Sequence, residues 1–577
     1  MGWPKLQRFH KTLQGVLFLV GLGFVLALIF RWCQGPRLNA ERSQPLPQHP
    51  LIQVYTNHNP LNRYAEPYRN QTRLGDNLEQ IIVDRIQSAR STVDVAVQEL
   101  RSPLIAKALR DRAVAGVRVR LVLENIYSRP LSSITAAEVQ QMDARQQARH
   151  RENVRLIDRN GDGQFAASEI DNYDALAIVA KAGIPWLDDT ADGSAGSGLM
   201  HHKFVVIDGQ WAIVPSANFT MSDFHGDFAP KQSLGNANSL VQIQSPAIAT
   251  LFTEEFNLLW GDGPGGKPDS RFGVQKPFRP AQRIQVGDAA IRVKFSPTPA
   301  DVPWEFSSSG SIGQTLAQGR KKIDLALFVF SDQAIADRLE TAAQKGAALR
   351  VLIEPTFAFQ YYSEALDLLG ASLPVRARKV SDSPEAPQDD GSPDRAALPC
   401  RTEPNNRPWP KPIPTVGMPK LLPGDLLHHK FGVVDDATVI MGSHNWTEAA
   451  DRHNDETLLV IEHPTVAAHY EREYERLWAN SMLGLPDKIR DRWQALQATC
   501  GIDAAAGSRP ESANPPRINL NTASREELEA LPGVGPKLAQ RIIETRQQQP
   551  FASLEDLKRV PGVKAGVLRK IGDRVSW

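Results

Sequence analysis

The residues best equipped for chemistry in this chain occur twice. Leu199-Met200-His201-His202-Lys203-Phe204-Val205-Val206-Ile207-Asp208 is matched by Leu426-Leu427-His428-His429-Lys430-Phe431-Gly432-Val433-Val434-Asp435. Each copy reads His-x-Lys-x4-Asp on an apolar strand pattern. Each is followed by another strand and a small-residue turn, Pro215-Ser216-Ala217-Asn218 and Gly442-Ser443-His444-Asn445. Imidazole, ammonium and carboxamide groups in duplicate point to one active site built across an internal pseudo-twofold. One His-x-Lys occurs by chance. Two in equivalent places of a repeat, each with its Ser-x-Asn turn, are far more specific.

The elements that must position these residues repeat as well. A helix is expected from Asn77 to Ala89, a strand over Thr92–Val97, a helix from Leu104 to Ala115, and a strand from Val117 ending at Glu124. The second copy has the strand Lys322–Leu327, the helix Ala334–Lys345, and the strand Leu349–Ile353 ending at Glu354. One constant offset carries Asp94 onto Asp324, Gly116 onto Gly346 and Glu124 onto Glu354. The closing helices keep a constant offset of their own, with Phe252, Phe256 and Trp260 against Tyr470, Tyr474 and Trp478. Alternating strands and helices imply an α/β fold, two lobes of mixed sheet flanked by helices. Both halves of the site lie in one chain, so no oligomer is required.

A chain of 577 residues is too long for one core, so two to four domains are expected. The net charge of +1 advertises no global nucleic-acid field, and any such binding must be local. Three cysteines, Cys33, Cys400 and Cys500, exclude a disulfide scaffold and a Cys-based zinc site. A single Cys400–Cys500 bridge stays open. Lys5, Arg8 and Lys11 precede an apolar run from Val16 to Phe30 and then Arg31. Residues 1–34 therefore read as an uncleaved signal anchor, a transmembrane helix with the rest of the chain outside the cytoplasm, or alternatively as a cleaved signal peptide of a secreted protein. Residues 35–52 read as a linker, 53–262 as lobe 1, 263–285 as a second linker, 286–485 as lobe 2, and 486–516 as a helix and linker. A Pro-rich insertion at about 374–423 reads as an extended surface loop.

The insertion in lobe 1, about 135–183, holds Asp158-Arg159-Asn160-Gly161-Asp162-Gly163-Gln164-Phe165-Ala166-Ala167-Ser168-Glu169 between two helical stretches. It fits a calcium loop. Asp158, Asn160 and Asp162 fall at positions 1, 3 and 5, and Gly163 makes the turn. Gln164 offers its carbonyl, and Glu169 closes the site bidentately. A structural Ca2+ in an EF-hand is the expectation.

The paired motifs with their turns resemble the phospholipase D superfamily over roughly Gln53 to Leu483. The resemblance implies two copies forming one site that cleaves phosphodiesters through a phosphohistidine, with no cofactor for catalysis. It implies one histidine as nucleophile and the other as general acid. Lys203, Lys430, Asn218 and Asn445 would hold the nonbridging oxygens, with Ser216 and Ser443 adding hydrogen bonds. Asp208 and Asp435 are expected to brace the lobes. His202 and His429 alternate away from the site and read as structural. In the superfamily an acidic residue bonds the histidine ring. Here Glu456 is expected to partner His428, and Asn238 to lie by His201. On that pairing the nucleophile is His201 and the general acid His428. Pro215, where the superfamily has Gly, removes a backbone donor in the first turn.

Residues 517–577 resemble a tandem helix-hairpin-helix module of the competence-protein DNA-binding type, a small all-α domain. Gly533, Val534 and Gly535 form the first hairpin, Lys537 and Arg541 add charge, and Gly562 and Lys564 mark the second. Glycines before a helix N-terminus let a phosphate approach closely, so sequence-independent, salt-sensitive DNA binding is expected. The sequence therefore favours a nuclease-like, membrane-anchored phosphodiesterase acting on DNA. A phospholipase D or phosphatidyltransferase acting on phospholipid is the alternative, and a non-catalytic DNA-binding protein for uptake or attachment is the third reading.

Overall fold

The structure is a computed structural model. It describes residues 44–376 except 195 and 197, residues 400, 401 and 406–500, and, farther on, residues 518–523, 528, 531, 536–551, 553–561, 563, 575 and 576. The chain divides into two units, up to Gly501 and from Ile502.

The first unit holds the two lobes. In lobe 1 seven strands run in the order Ile52–Thr56, Ser239–Gln244, Trp211–Pro215, Lys203–Ile207, Thr92–Val97, Arg118–Leu123 and Trp186–Asp188. In lobe 2 the order is Gln282–Val286, Ala289–Ser296, Asn454–Glu462, Thr438–Gly442, Lys430–Val434, Lys322–Leu327, Ala348–Ile353, Val416–Met418 and Met482–Leu483. Parallel and antiparallel pairs are mixed in both sheets. The His-x-Lys strand lies at the centre of each, antiparallel to Thr92–Val97 in lobe 1 and to its equivalent Lys322–Leu327 in lobe 2.

The closing helices Pro246–Trp260 and Pro464–Trp478 explain why the lobes stay together. Each has Pro in its first turn and a side-chain cap, from Ser245 and His463. Phe252, Phe256, Tyr470 and Tyr474, at helical spacing, enter one apolar core with Phe204 and Val206 of lobe 1 and Phe431 and Val433 of lobe 2. Each lobe keeps a separate outer core. Arg120 pairs with Asp94 while lying 4.7 Å over Phe256, and Arg350 pairs with Asp324 while lying 4.8 Å over Tyr474. One repeated Asp–Arg pair thus docks each helix on its sheet.

Several expectations need correction. Residues 263–285 are no loose linker. Phe272 and Lys276 are buried, and Gln282–Val286 forms an edge strand. Residues 44–52 are ordered too, with His49 Nε2 at 2.8 Å from Asp288. The later part of the 374–423 insertion is not an extended loop, because Val416–Met418 pairs in parallel with Ala348–Ile353 and Trp409 is buried. Cys400 and Cys500 form a disulfide with a Cα–Cα distance of 5.6 Å. Among the described residues no helix is long and apolar enough to cross a membrane. The anchor expected at 1–34 lies outside them.

In the second unit Leu520, Leu528, Leu538, Ile542, Phe551 and Leu557 form a small core. The helix Pro536–Gln548 and the turn Leu554–Arg559 are its main elements. It is not purely helical, since Ile518–Asn519 pairs in parallel with Val575–Ser576.

Candidate active site

The four motif groups are brought together where the lobes cross. Leu199–Met200 leaves its own lobe and pairs in parallel with Asn454–Asp455 of lobe 2. His201 N–H donates to the Asp455 carbonyl at 3.0 Å, which sets the His201 ring beside the next residue, Glu456. The mirror contact joins Leu427 to Ala237, and His428 N–H donates to the Ala237 carbonyl at 3.1 Å, beside Asn238.

The consequence reverses one expectation. Glu456 partners His201, not His428, with both carboxylate oxygens at 2.9 and 2.8 Å from His201 Nδ1. His428 Nδ1 faces Asn238 Oδ1 at 3.1 Å, with Asp223 Oδ1 at 3.4 Å. Each histidine is oriented by the opposite lobe. Both are nearly buried, at 5% and 7% exposure. Burial and the two lysines hold both imidazoles well below the usual histidine range. Burial pushes the Glu456 carboxyl up. A neutral His201 keeps its proton on Nδ1 toward the carboxylate and leaves Nε2 with a free lone pair.

The lysines lie beneath this pair. Lys203 Nζ donates to the His201 carbonyl at 3.0 Å and Lys430 Nζ to the His428 carbonyl at 2.7 Å. Burial lowers Lys203 to about 8 and Lys430 well below the usual lysine value. Both must be cationic to hold an anion. Raising the pH removes both protons, that of Lys203 at about 8, so kcat/KM is expected to fall steeply on the alkaline side. A pH–rate profile checks this, and Lys203→Arg should make the alkaline fall shallower, leaving the loss of the Lys430 proton alone.

The remaining predicted residues separate into two groups. The buried carboxamide oxygens of Asn218 and Asn445 have no partner among the described residues. Exchanging the oxygen and nitrogen of either amide by a flip would present N–H donors instead. Ser216 and Ser443 do other work than expected. Ser216 donates to Asn238 Oδ1 at 2.7 Å and accepts from Ser239 N. Ser443 donates to Glu456 Oε2 at 2.6 Å and accepts from Thr457 N. Each serine fixes the group that orients a histidine, and its single O–H is already committed. Asp208 and Asp435 stand at the far ends of the motif strands, roughly 20 Å from the histidines at the usual strand rise. Their φ values of 53° and 54° put them in tight turns. Asp208 accepts from Arg90, Ser91 and Thr92 N–H, and Asp435 from Arg320, Lys321 and Lys322. They brace their own lobes, away from the two histidines.

His202 and His429 turn away, as alternation requires. His202 Nε2 meets Glu255 at 2.8 Å and His429 Nε2 meets Glu473 at 2.9 Å. Glu255 and Glu473 are repeat equivalents on the closing helices. Three site residues escaped the sequence reading. Asp223 accepts from Asn236, Asn238 and Asn218 and so holds the His428 side together. Gln98 and Phe328 follow the equivalent strands Thr92–Val97 and Lys322–Leu327. Gln98 Oε1 is 3.5 Å from Lys203 Nζ, and the Phe328 ring is 4.8 Å from Lys430 Nζ and 5.0 Å from the His428 ring. The constant offset that revealed the repeat would have found this pair.

The expected calcium loop lies between the helices Ala144–Ile157 and Ala167–Tyr173. Asp158 accepts from Gly161, Asp162 and Gly163, and Asp162 from Gln164. Asn160 accepts from Asp162. Glu169 accepts from Arg159, Asn160 and Ala166. In this loop the carboxylate and amide oxygens accept from the loop's own backbone amides. In the second unit Arg541 Nη1 donates to the Pro561 carbonyl at 2.5 Å, and Lys537 lies on the helix Pro536–Gln548. Gly533, Val534, Gly535, Gly562 and Lys564 lie outside the described residues.

Comparison with known proteins fits this geometry. Residues 82–260 and 312–478, more than half of the chain, match the family described as cardiolipin synthase, PLD-like domain. Residues 513–576 match the helix-hairpin-helix motif. Over 52 residues the chain is 44% identical to the mitochondrial cardiolipin hydrolase of Xenopus laevis, covering 9% of this chain and 25% of that protein. The chain thus spans only a quarter of that relative's length. Two solved structures are also similar. Phosphatidylserine synthase of Haemophilus influenzae Rd KW20 is 11% identical, with a TM-score of 0.44, over 82% of this chain and 99% of that one. The phospholipase D family member Nuc of Salmonella typhimurium is 17% identical, with a TM-score of 0.24, over 34% of this chain and 100% of that one. With its two lobes, its two His-x-Lys motifs and a family match across both, this chain belongs to the phospholipase D-like family.

Proposed function

We propose that this chain hydrolyses phosphodiesters through a phosphohistidine, and that its substrate is DNA. The observation that carries the chemistry is the crossed orientation of the two imidazoles, His201 by Glu456 and His428 by Asn238. His201 Nε2 attacks phosphorus, and the bond to the leaving oxygen breaks as His428, protonated once the anionic phosphodiester sits against it, gives that oxygen its proton. Water, deprotonated by His428, then attacks phosphorus and releases His201. Lys203 and Lys430, with the turned amides of Asn218 and Asn445, hold the nonbridging oxygens. The pairing expected from the sequence is reversed, so the assignment rests instead on Glu456 beside His201, which makes His201 the better nucleophile. The carboxylate holds Nδ1–H and opposes the positive charge that builds on the phosphorylated ring. His428 Nδ1 faces the neutral Asn238 amide at 3.1 Å and the Asp223 carboxylate only at 3.4 Å, so its second proton is held less tightly than one on His201.

The helix-hairpin-helix match supports DNA, with Lys537 and Arg541 as phosphate contacts alongside the hairpin backbone at Gly533, Val534, Gly535, Gly562 and Lys564. Phospholipid is the second reading, favoured by the family description and the name of the Xenopus laevis relative. The apolar run Val16–Phe30 and the Cys400–Cys500 bridge support an anchored protein outside the cytoplasm. Calcium fits as a structural ion on Asp158, Asn160, Asp162, the Gln164 carbonyl and Glu169, stiffening the inserted helices.

The test offers the soluble part plasmid DNA and, separately, cardiolipin vesicles, with and without EDTA. Nicking of DNA that survives EDTA, disappears with His201→Ala and leaves the vesicles intact is the expected result. Phosphatidate release without DNA cleavage would replace DNA with lipid.

A further inference from the structure

Resting on that DNA reading, we infer that the cavity between lobe 1 and the inserted helix Ala144–Ile157 is a subsite for an unstacked nucleobase beside the scissile phosphodiester. The cavity measures about 410 Å3, within the range of small-ligand pockets of roughly 300–1,000 Å3. Tyr127, Ile134 and Met142 line it with apolar surface, and Gln146, Arg149 and Asn153 present polar groups from the inserted helix. The Arg149 guanidinium lies 5.3 Å over the Tyr127 ring and pairs with Glu99.

Glu99 ties this cavity to the reacting groups. The preceding residue, Gln98, has its carboxamide oxygen 3.5 Å from Lys203 Nζ. The Glu99 carbonyl accepts from Phe219 N at 3.0 Å, directly after Asn218. Glu99 and Arg149 both act on the Lys203 charge, in opposite directions. The outer wall is held as well. Glu152 of the inserted helix accepts from Phe228 and Ala229 N–H at 2.8 and 3.2 Å. A strand lying across Lys203 and Lys430 therefore passes an open pocket whose walls are set before it arrives.

The lining selects the occupant. An acyl chain would leave the amides of Gln146 and Asn153 and the Arg149 guanidinium facing hydrocarbon, which is costly. A base offers one flat face to the stacked Tyr127–Arg149 pair and a polar edge to the amides. A base within a duplex is stacked and paired, so the pocket requires a single strand or an unpaired nucleotide.

The test uses single-stranded oligonucleotides that carry either a base or an abasic residue beside one linkage. Wild-type kcat/KM at that linkage should be about tenfold higher with the base than without it. Tyr127→Ala and Gln146→Ala should each erase most of that difference while leaving hydrolysis of methyl 4-nitrophenyl phosphate unchanged. A wild-type ratio near one, with DNA still cleaved, would overturn the subsite and leave the DNA reading standing. Equal losses on both substrates would overturn it too, since the residues would then be structural. Cleavage of cardiolipin vesicles that falls with Tyr127→Ala, with DNA untouched, would sink the nucleobase and the DNA reading together.

Discussion

His201→Ala should lower phosphodiester hydrolysis by at least about 10^4-fold, because it removes the nucleophile and leaves His428 without the carboxylate that supports the phosphorylated ring. His428→Ala should divide by substrate. An alkoxide leaving group needs the proton of His428, so DNA cleavage is lost to a similar degree. A 4-nitrophenolate leaves without one. With methyl 4-nitrophenyl phosphate the variant should release a burst of about one equivalent of nitrophenol, then stall, because His428 is also the base for the second step. Digestion of the stalled enzyme should yield a phosphopeptide containing His201. A burst from His201→Ala with label on His428 would exchange the two roles. Glu456→Gln is expected to retain the fold and lose about 10^2–10^3-fold in kcat, since an amide turned the wrong way can orient the wrong tautomer. That loss should exceed the loss from Asn238→Ala, because only Glu456 faces the ring that becomes positively charged.

Lys276→Met should cost about 3–5 kcal/mol of stability in the two-lobe unit, the cost usual for leaving buried charges unpaired. Lys276 Nζ lies 2.6 Å from Glu255 Oε1, 2.7 Å from Asp455 Oδ1 and 2.6 Å from the Ser296 carbonyl. Glu255 and Asp455 are fully buried, and they come from lobe 1 and lobe 2. Without the ammonium, Glu255 keeps His202 and Arg279, and Asp455 keeps the Gly273 amide. The unit would retain more negative charge than its donors can satisfy. Urea unfolding followed by tryptophan fluorescence measures the loss. A second change, Asp455→Asn, should recover part of it, because the double variant lacks one carboxylate as well as the ammonium and the buried charges come closer to balance. A loss under about 1 kcal/mol for Lys276→Met would mean that water reaches this junction. The effect should also reach catalysis, since the Asp455 carbonyl accepts from His201 N–H at 3.0 Å.

Much of the fold was legible before any coordinates. The strand Thr92–Val97 is found as read, and the helices and strands around Gly116 and Gly346 shift only slightly at their ends. Period-two and period-3.6 patterns are local, so they survive in a linear reading. The two histidines, two lysines and two asparagines were also legible, because duplication marks them twice. His202 and His429 were placed correctly for the same reason. A strand sends neighbouring side chains to opposite faces whatever the tertiary context.

What the sequence by itself determined, then, is that there are two lobes, which groups each contributes, and which faces they take. Only the tertiary structure decided which group serves which histidine. Reading along the chain pairs His428 with Glu456, its near neighbour in the same lobe. The fold pairs Glu456 with His201, far away in sequence, because Leu199–Met200 crosses to the strand Asn454–Glu462 of the other lobe. Ser216, Ser443 and Asp223 became supports of the histidines' partners by the same crossing, and Lys276 became the cation between two buried carboxylates. A parallel pairing of two residues between distant strands leaves no periodicity in either segment. It exists only once the shared core of Phe252, Phe256, Tyr470 and Tyr474 has brought the two sheets face to face.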